Sequence, residues 1–401
     1  MTRLAVKALP PYTRVRAMPT HSRKSPVADA AVETATVLFA GGGTGGHISP
    51  GLAIAEALAD MRPDLGRVFA CSHRDIDRTM LESAGERCIP LAAMPFGRSP
   101  AQILRFLRGW RRAMAQTIDI IDANDVRVVI ALGGFVSAPA VAAARRRDVP
   151  RVLLNLDAVP GKANRYIGRQ GTEILTACEI TAVSARFKSS RVAMPLRRST
   201  LACSYGDPQH CRAALGLDPR LPTMLITGAS QGSQSINDLI QAIVEHHSDW
   251  LIGWQVHHLT GRGREGELAS VYREAGIPAL VEPFRHEMGL AWGAADLAIS
   301  RAGANSVAEI AANAVPAIFF PYPHHADRHQ YHNALPLVEA GGAVVCEDHV
   351  DAGRNLREHG EILRRALQNH HMLDTMRQAL AARRPDNGAK LVAARLIAMI
   401  E

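Results

Sequence analysis

Short runs of nearly continuous apolar residues alternate along this chain with longer stretches in which apolar positions recur every three or four residues. The clearest runs are Thr36–Ala40, Val126–Leu132, Val152–Leu156, Thr223–Thr227, Asp296–Ile299 and Ala317–Phe320. A strand covered on one face alternates apolar with polar residues. A strand covered on both faces does not alternate, so these runs predict parallel strands between helical layers. With helical patterns between them, the chain reads as α/β with doubly wound sheets.

The pattern also echoes itself. Near the start, a strand runs into Gly41–Gly46 and then a helix from about Pro50. Near the middle, a strand runs into Gly228-Ala229-Ser230-Gln231-Gly232 and then a helix from about Ile236. Each reads as the first strand, turn and helix of its own sheet. This predicts two similar domains, 35–195 and 196–375, joined through Ser189–Tyr205, which Pro195 interrupts. A closing helical segment, 376–401, ends in a helix near Lys390–Glu401 whose apolar face suits either domain.

Composition narrows the partners. A chain of 401 residues with 47% apolar and 21% charged residues fits two or three ordinary globular domains. Its net charge of +8 favours anionic partners such as phosphates or an acidic membrane surface. Zinc-finger spacings and basic patches interleaved with aromatics are both missing, so nucleic acid is not expected. The six cysteines form no CxxC pair, which predicts free thiols in a reducing compartment. No stretch approaches the ~18 consecutive apolar residues of a spanning helix. Residues 1–34 are basic, with Asp29 the first acid. Having no apolar core, they read as a disordered tail rather than a secretory signal, with an organellar transit peptide as the other reading.

The first glycine turn carries the candidate chemistry. Five glycines fill the six positions Gly41–Gly46, His47 follows, and Ser49-Pro50 reads as an N-cap with proline at the first helical position. Glycines let a backbone approach a ligand, and the amides of a helix N-terminus attract an anion. Gly41, Gly43 and Gly46 formally match the dinucleotide fingerprint. The next strand, however, ends in Cys71-Ser72-His73 rather than the acid that would hold a nicotinamide ribose. An imidazole at the mouth of an anion site is suited to take a hydroxyl proton near neutral pH.

The second half offers matching parts. Ser230 can donate to a phosphate from the Gly228–Ser235 turn. Ser300–Glu309 follows a strand and opens a helix, and Glu309, about one turn in, can accept both hydroxyls of a ribose. His324, His325, Asp327 and His329 lack the spacing of a metal site, and Asp75-Ile76-Asp77 reads as the cap of a helix near Ile76, so no metal or other cofactor is expected.

Together these stretches resemble the MurG family of glycosyltransferases. The likeness rests on Gly42–His47, Gly133–Pro139, Ala158–Arg165, Gly228–Gly232, Ser300–Ala304 and Asp327–Ala334, in the family's order, and covers residues 35–400. It implies a GT-B fold, two Rossmann-like domains facing across a cleft. It also implies an inverting, metal-independent transfer of N-acetylglucosamine from UDP-N-acetylglucosamine to the undecaprenyl-linked muramoyl-pentapeptide of peptidoglycan synthesis. Carried over by position, His47 activates the acceptor hydroxyl, Glu309 holds the ribose and the backbone at Arg285 the uracil. Ser230, Arg197 and the turn Ala304, Asn305, Ser306, Val307 and Ala308 serve the diphosphate. Gln330 meets the sugar, while Thr44, Gly45 and Gly46 close over the donor. The resemblance further implies a peripheral protein on the cytoplasmic face of the bacterial cell membrane, with other cell-wall enzymes as partners. The apolar patch Ile103, Leu104, Phe106, Leu107 and Trp110, rimmed by arginines, is expected to rest on an anionic membrane.

Two stretches depart from the family's pattern. Leu154–Asp157 stands where His-Glu-Gln-Asn is common, so Asp157 replaces an amide near the acceptor or sugar. Ala193-Met194 stands where Gly-Asn is common, although Arg197 is kept. The alternatives are transfer to another lipid, or a non-catalytic relative that binds a nucleotide sugar.

Overall fold

The computed structural model describes residues 35–43, 45–170, 172–179 and 188–401. The basic segment 1–34 and the site candidate Thr44 lie outside the described residues. The predicted strands are present, together with shorter ones that the pattern did not mark. The first sheet holds β1 (Thr36–Gly41), β2 (Gly66–Cys71), β3 (Cys88–Pro90), β4 (Val126–Gly133), β5 (Arg151–Asn155), β6 (Glu173–Thr176) and β7 (Ser190–Arg191). The second holds β8 (Thr223–Thr227), β9 (Gln255–Leu259), β10 (Ala279–Glu282), β11 (Leu297–Ser300), β12 (Ala317–Phe319) and β13 (Ala343–Val345).

The orders are β3-β2-β1-β4-β5-β6-β7 and β10-β9-β8-β11-β12-β13, and the neighbours in both sheets run parallel. Each sheet therefore starts at its centre and grows outward in both directions, the doubly wound arrangement expected from the echo. β1 and β8 are buried along their whole length, which is why their sequences do not alternate.

Two expectations need correction, and one that was left open is settled. The helix after the first glycine turn runs Gly45–Met61, five residues ahead of the expected start, so Ser49 is not its cap and Pro50 lies inside it. Proline lacks the N–H that would bond the carbonyl four residues back, here that of Gly46. The helix tolerates the gap because Asn305 Nδ2, from the other half of the molecule, donates to that same carbonyl at 3.1 Å. Secondly, Cys71 and Cys88 form a disulfide across the neighbouring strands β2 and β3, with Cα atoms 6.5 Å apart. A separation of 17 residues leaves no spacing signature, whereas parallel pairing brings the two side chains together. The other four cysteines are free. Thirdly, the last helix, Ala389–Ile400, does choose a side. Ala389, Val392, Ala393 and Leu396 join the core between the first sheet and helix Gly45–Met61, so the chain ends on the domain where it began.

Candidate active site

Both sheets place their functional groups where the strand order reverses. In an open parallel sheet the crevice lies beyond the carboxyl ends of the two central strands, because their connections leave in opposite directions. Those strands are β1 and β4 in the first sheet, β8 and β11 in the second. Register holds their ends level, with Gly41 opposite Gly133 and Thr227 opposite Ser300.

The first turn is held from inside by a carboxylate. Asp77, fully buried, accepts through Oδ2 from the Gly43 amide at 2.7 Å, the Ser72 amide at 3.1 Å and the Ser72 hydroxyl at 2.6 Å. Gly42 and Gly43 have φ of 147° and 93°, and a Cβ on Gly42 would stand 2.3 Å from Asp77 Oδ2. Arg74 donates to the Gly43 carbonyl. The turn thus directs an amide at Asp77 that the sequence reading would have offered to a phosphate. Sequence reasoning missed this role of Asp77; the only signal was its place in Asp75-Ile76-Asp77, at the start of helix Asp75–Ser83.

His47 stands half-buried in the first turn of helix Gly45–Met61. Burial lowers its pKa, against the opposing pull of the Asp157 and Asp77 charges and of the Gly42 carbonyl, which accepts a hydrogen bond from the ring. The imidazole is accordingly neutral at pH 7 and able to take up a proton. The ring packs on glycine backbone: a Cβ on Gly133 would lie 3.1 Å from His47 Nε2, and one on Gly134 3.5 Å from Nδ1.

Helix Ala304–Asn313 faces this site. Its Ala304, Ala308 and Ala312 pack against the core of the first half, and Asn305 reaches the Gly46 carbonyl. Ser306 is half-buried and Val307 buried in the same first turns, and no side chain caps the N-terminal Gly303. Glu309 is buried and accepts from Trp292 Nε1 at 2.8 Å. Burial pushes its carboxyl up to about 7, against the Trp292 hydrogen bond.

A second contact crosses at Asp157. Asn333, on helix His329–Glu339, donates to Asp157 Oδ1 at 3.1 Å and accepts from the Ala158 amide at 2.9 Å. The position at which the chain departs from the family's pattern is therefore part of the junction between the halves, and Asn333, inside the motif Asp327–Ala334, had been given no role.

The remaining candidates are more dispersed. Arg197 donates to Glu56 at 2.9 Å, tying the connection to helix Gly45–Met61. Arg285 is bidentate to Glu282 at 2.8 and 2.6 Å, and Glu282 also bonds His257 at 2.7 Å. Gln330 accepts from the Tyr322 amide at 2.9 Å. The backbone of Ser230 lies in the short turn Ala229–Gln231 after β8. His329 bonds Asp327 at 2.8 Å, with the His325 ring beside it. Among the described residues, the group whose ligand atoms approach closely enough for a metal is instead His349, Glu358 and His359, and Arg354 already binds Glu358 at 2.8 Å.

The apolar patch lies on helix Pro100–Ala123, where Ile103, Leu104 and Leu107 are exposed, joined by Met94 and Phe96 ahead of the helix. Trp110 departs from its expected place. It is half-buried, between Phe106 and Tyr166, and packs on the core next to β4 and β5.

Known proteins match this arrangement over most of the chain. The family model for the glycosyltransferase family 28 N-terminal domain matches residues 37–176, and that for its C-terminal domain matches 223–392. The chain is 35% identical over 317 residues to a UDP-N-acetylglucosamine–N-acetylmuramyl-(pentapeptide) pyrophosphoryl-undecaprenol N-acetylglucosamine transferase of Streptomyces coelicolor, covering 78% of this chain and 84% of that protein. A transferase of the same name from Bifidobacterium longum is 34% identical over 340 residues, covering 79% and 86%. Among solved structures, Acinetobacter baumannii MurG superimposes with a TM-score of 0.67 at 21% identity, covering 91% of this chain and 99% of that one. The calicheamicin glycosyltransferase CalG4 gives 0.59 at 14%, covering 92% and 98%.

Proposed function

This chain belongs to glycosyltransferase family 28, among the MurG transferases, with the GT-B fold, and from that premise we propose that it transfers N-acetylglucosamine from UDP-N-acetylglucosamine to the undecaprenyl-linked muramoyl-pentapeptide. The observation that carries the reading is a neutral, half-buried His47 beside two carboxylates, facing the helix of Glu309 across the junction closed by Asn305.

His47 accepts the proton of the acceptor hydroxyl as that oxygen attacks the anomeric carbon. The bond to UDP breaks on the opposite face, which inverts the configuration. The departing diphosphate gains negative charge, and amides of the Ala304–Ala308 turn, Ser230 and Arg197 stabilise it without a metal. Arg197 reaches it by exchanging Glu56 for phosphate. Glu309 takes the ribose hydroxyls, the Arg285 backbone the uracil, and Gln330 the sugar. Gly45 and Gly46, with Thr44, close over the donor. Asp157 contacts substrate from the junction it shares with Asn333.

The exposed patch Ile103, Leu104 and Leu107 carries the protein to an anionic membrane at its cytoplasmic face, flanked by the exposed Arg105, Arg108, Arg111 and Arg112. None of the described helices is long and apolar enough to cross a membrane, in keeping with peripheral attachment. Other cell-wall enzymes are natural partners there, since substrate and product are both lipid-linked.

The test supplies UDP-N-acetylglucosamine with a short-chain lipid-linked muramoyl-pentapeptide, and separately with a diacylglycerol. Inverted transfer to the first supports the proposal. Folded protein that turns over only the second, or that binds UDP and turns over neither, overturns it.

A further inference from the structure

One peptide unit links a buried carboxylate to the imidazole of the active site. The N–H of the Gly42–Gly43 peptide belongs to Gly43 and donates to Asp77 Oδ2 at 2.7 Å. The C=O of the same peptide belongs to Gly42 and accepts from His47. A Cβ on Gly134 would fall 2.6 Å from the Gly42 oxygen and 3.5 Å from His47 Nδ1, so both atoms border one point and Nδ1 is the ring nitrogen on the Gly42 side. Nε2 lies at the other end of the ring: a Cβ on Gly133 would fall 3.1 Å from it and 3.3 Å from Asn164 Oδ1.

We propose that Asp77 is a positioning residue for His47, acting through the Gly42–Gly43 peptide to hold the Nδ1–H tautomer and leave the Nε2 lone pair for the acceptor hydroxyl. This rests on the reading of His47 as the base. The carboxylate draws on the peptide N–H, which makes the carbonyl at the far end of the same unit a better acceptor, as in any polarised chain of hydrogen bonds. A ring nitrogen that donates fixes the tautomer, and with it the atom left to act as base. When the hydroxyl proton moves to Nε2, the imidazolium keeps both protons, with its Nδ1–H still on the Gly42 carbonyl. The new O–C bond forms and the electron pair of the breaking bond leaves on the diphosphate.

Two features favour a catalytic purpose over simple turn-holding. The Ser72 amide and hydroxyl already satisfy Asp77 Oδ2 without the glycine turn. Among the described residues its Oδ1, also buried, accepts no hydrogen bond, although it lies a few atoms from the site. The charged groups bearing on His47 are Asp77 from helix Asp75–Ser83 and Asp157 from the segment after β5. Arg74 binds the Gly43 carbonyl, on the peptide beyond.

The experiment compares the wild type with Asp77→Asn, Asp157→Asn and Ser72→Ala by long-range ¹H–¹⁵N NMR of the His47 ring across pH, with kcat and KM on the short-chain acceptor. The wild-type ring is expected in the Nδ1–H form. Asp77→Asn should mix the tautomers, move the acidic limb of kcat/KM down by on the order of one pH unit and lower kcat on the order of tenfold, with the KM for UDP-N-acetylglucosamine within about twofold. Asp157→Asn should move the limb and leave the tautomer alone, because it supplies field without the peptide link. Ser72→Ala, which loosens Asp77 and keeps its charge, should leave the tautomer unchanged. A wild-type Nε2–H ring overturns the proposal, as does a tautomer ratio unmoved by Asp77→Asn. If Asp77→Asn does not fold, the wild-type ring alone carries the test, and an Nε2–H tautomer there overturns the proposal. The NMR arm stands whether or not the acceptor turns over, so its failure is distinct from failure of the transferase reading.

Discussion

The two sheets share one strand order over six strands, and each opens a glycine-rich turn at the end of its first strand, yet opposite needs hold the two turns. Around Gly41–Gly46 the glycines make room for charge: Asp77 sits where a Gly42 side chain would be. Around Gly228–Gly232 they make room for backbone. A Cβ on Gly228 would fall 2.1 Å from the Ser233 nitrogen, and one on Gly232 2.2 Å from the Thr260 carbonyl. The first half thereby sets negative charge about a neutral histidine, while the second holds Glu309 near neutrality behind a helix N-terminus. The same local pattern in sequence serves proton uptake on one side and suits an anionic donor on the other.

That division is broken most directly at its two ends. His47→Ala should lower kcat roughly 10³-fold, within the range of a lost general base, and leave UDP affinity within about twofold. Glu309→Ala should do the reverse, weakening UDP roughly 10- to 100-fold through the loss of hydrogen bonds to a charged group, with a smaller change in kcat. Calorimetry with UDP beside steady-state kinetics separates the two. Equal losses of UDP affinity in both variants would erase the distinction between the halves.

Protonation offers a gentler version of the second test. The Glu309 carboxyl is raised to about 7 by burial, and the form that accepts two ribose hydroxyls is the carboxylate. UDP affinity should therefore rise as pH climbs toward and through 7, and fall by up to about tenfold per unit below it. Glu309→Gln should flatten the curve. An unaltered slope in that variant would mean that another group titrates.

Much of this was legible in the sequence. Continuous apolar runs identified the buried strands, and the repeated strand, turn and helix identified two similar halves. The long-range partners were not legible. Asp77 carries no local mark that separates a helix-start acid from one that holds a glycine turn 34 residues away. Asn333 and Asp157 meet only because two sheets face each other. Trp110 was assigned outward with the leucines around it, but helical rotation carries it to the side where Tyr166 and the core wait. Ser49-Pro50 gave a plausible helix start that the fold overrode, because the missing Pro50 N–H is compensated from the other domain.

The patch on helix Pro100–Ala123 tests the comparison from the acceptor side. Replacing Leu104 and Leu107 together by aspartate removes exposed apolar surface. It should reduce flotation with anionic vesicles and raise the apparent KM for a long-chain lipid acceptor several-fold. UDP affinity should not move. Trp110→Ala should instead lower Tm and keep flotation, since that ring packs inward. Loss of flotation with Trp110→Ala at unchanged Tm would restore it to the membrane surface.

The smallest expected effect concerns the seam itself. The Gly46 carbonyl has no Pro50 N–H to accept from, and Asn305 supplies the donor from across the cleft. A hydrogen bond of this kind contributes about 1 kcal/mol or less, so Asn305→Ala alone should be mild. The informative variant is Pro50→Ala, which returns an N–H to the helix four residues beyond Gly46 and should raise the stability of the isolated turn. Once the carbonyl has its helical partner, Asn305 adds less, so the cost of Asn305→Ala should shrink in the Pro50→Ala background. A double-mutant cycle on denaturant midpoints measures that coupling. If Asn305→Ala costs the same in both backgrounds, the proline did not create the vacancy that joins the two halves, and their closure depends on Asn333 and Asp157 instead.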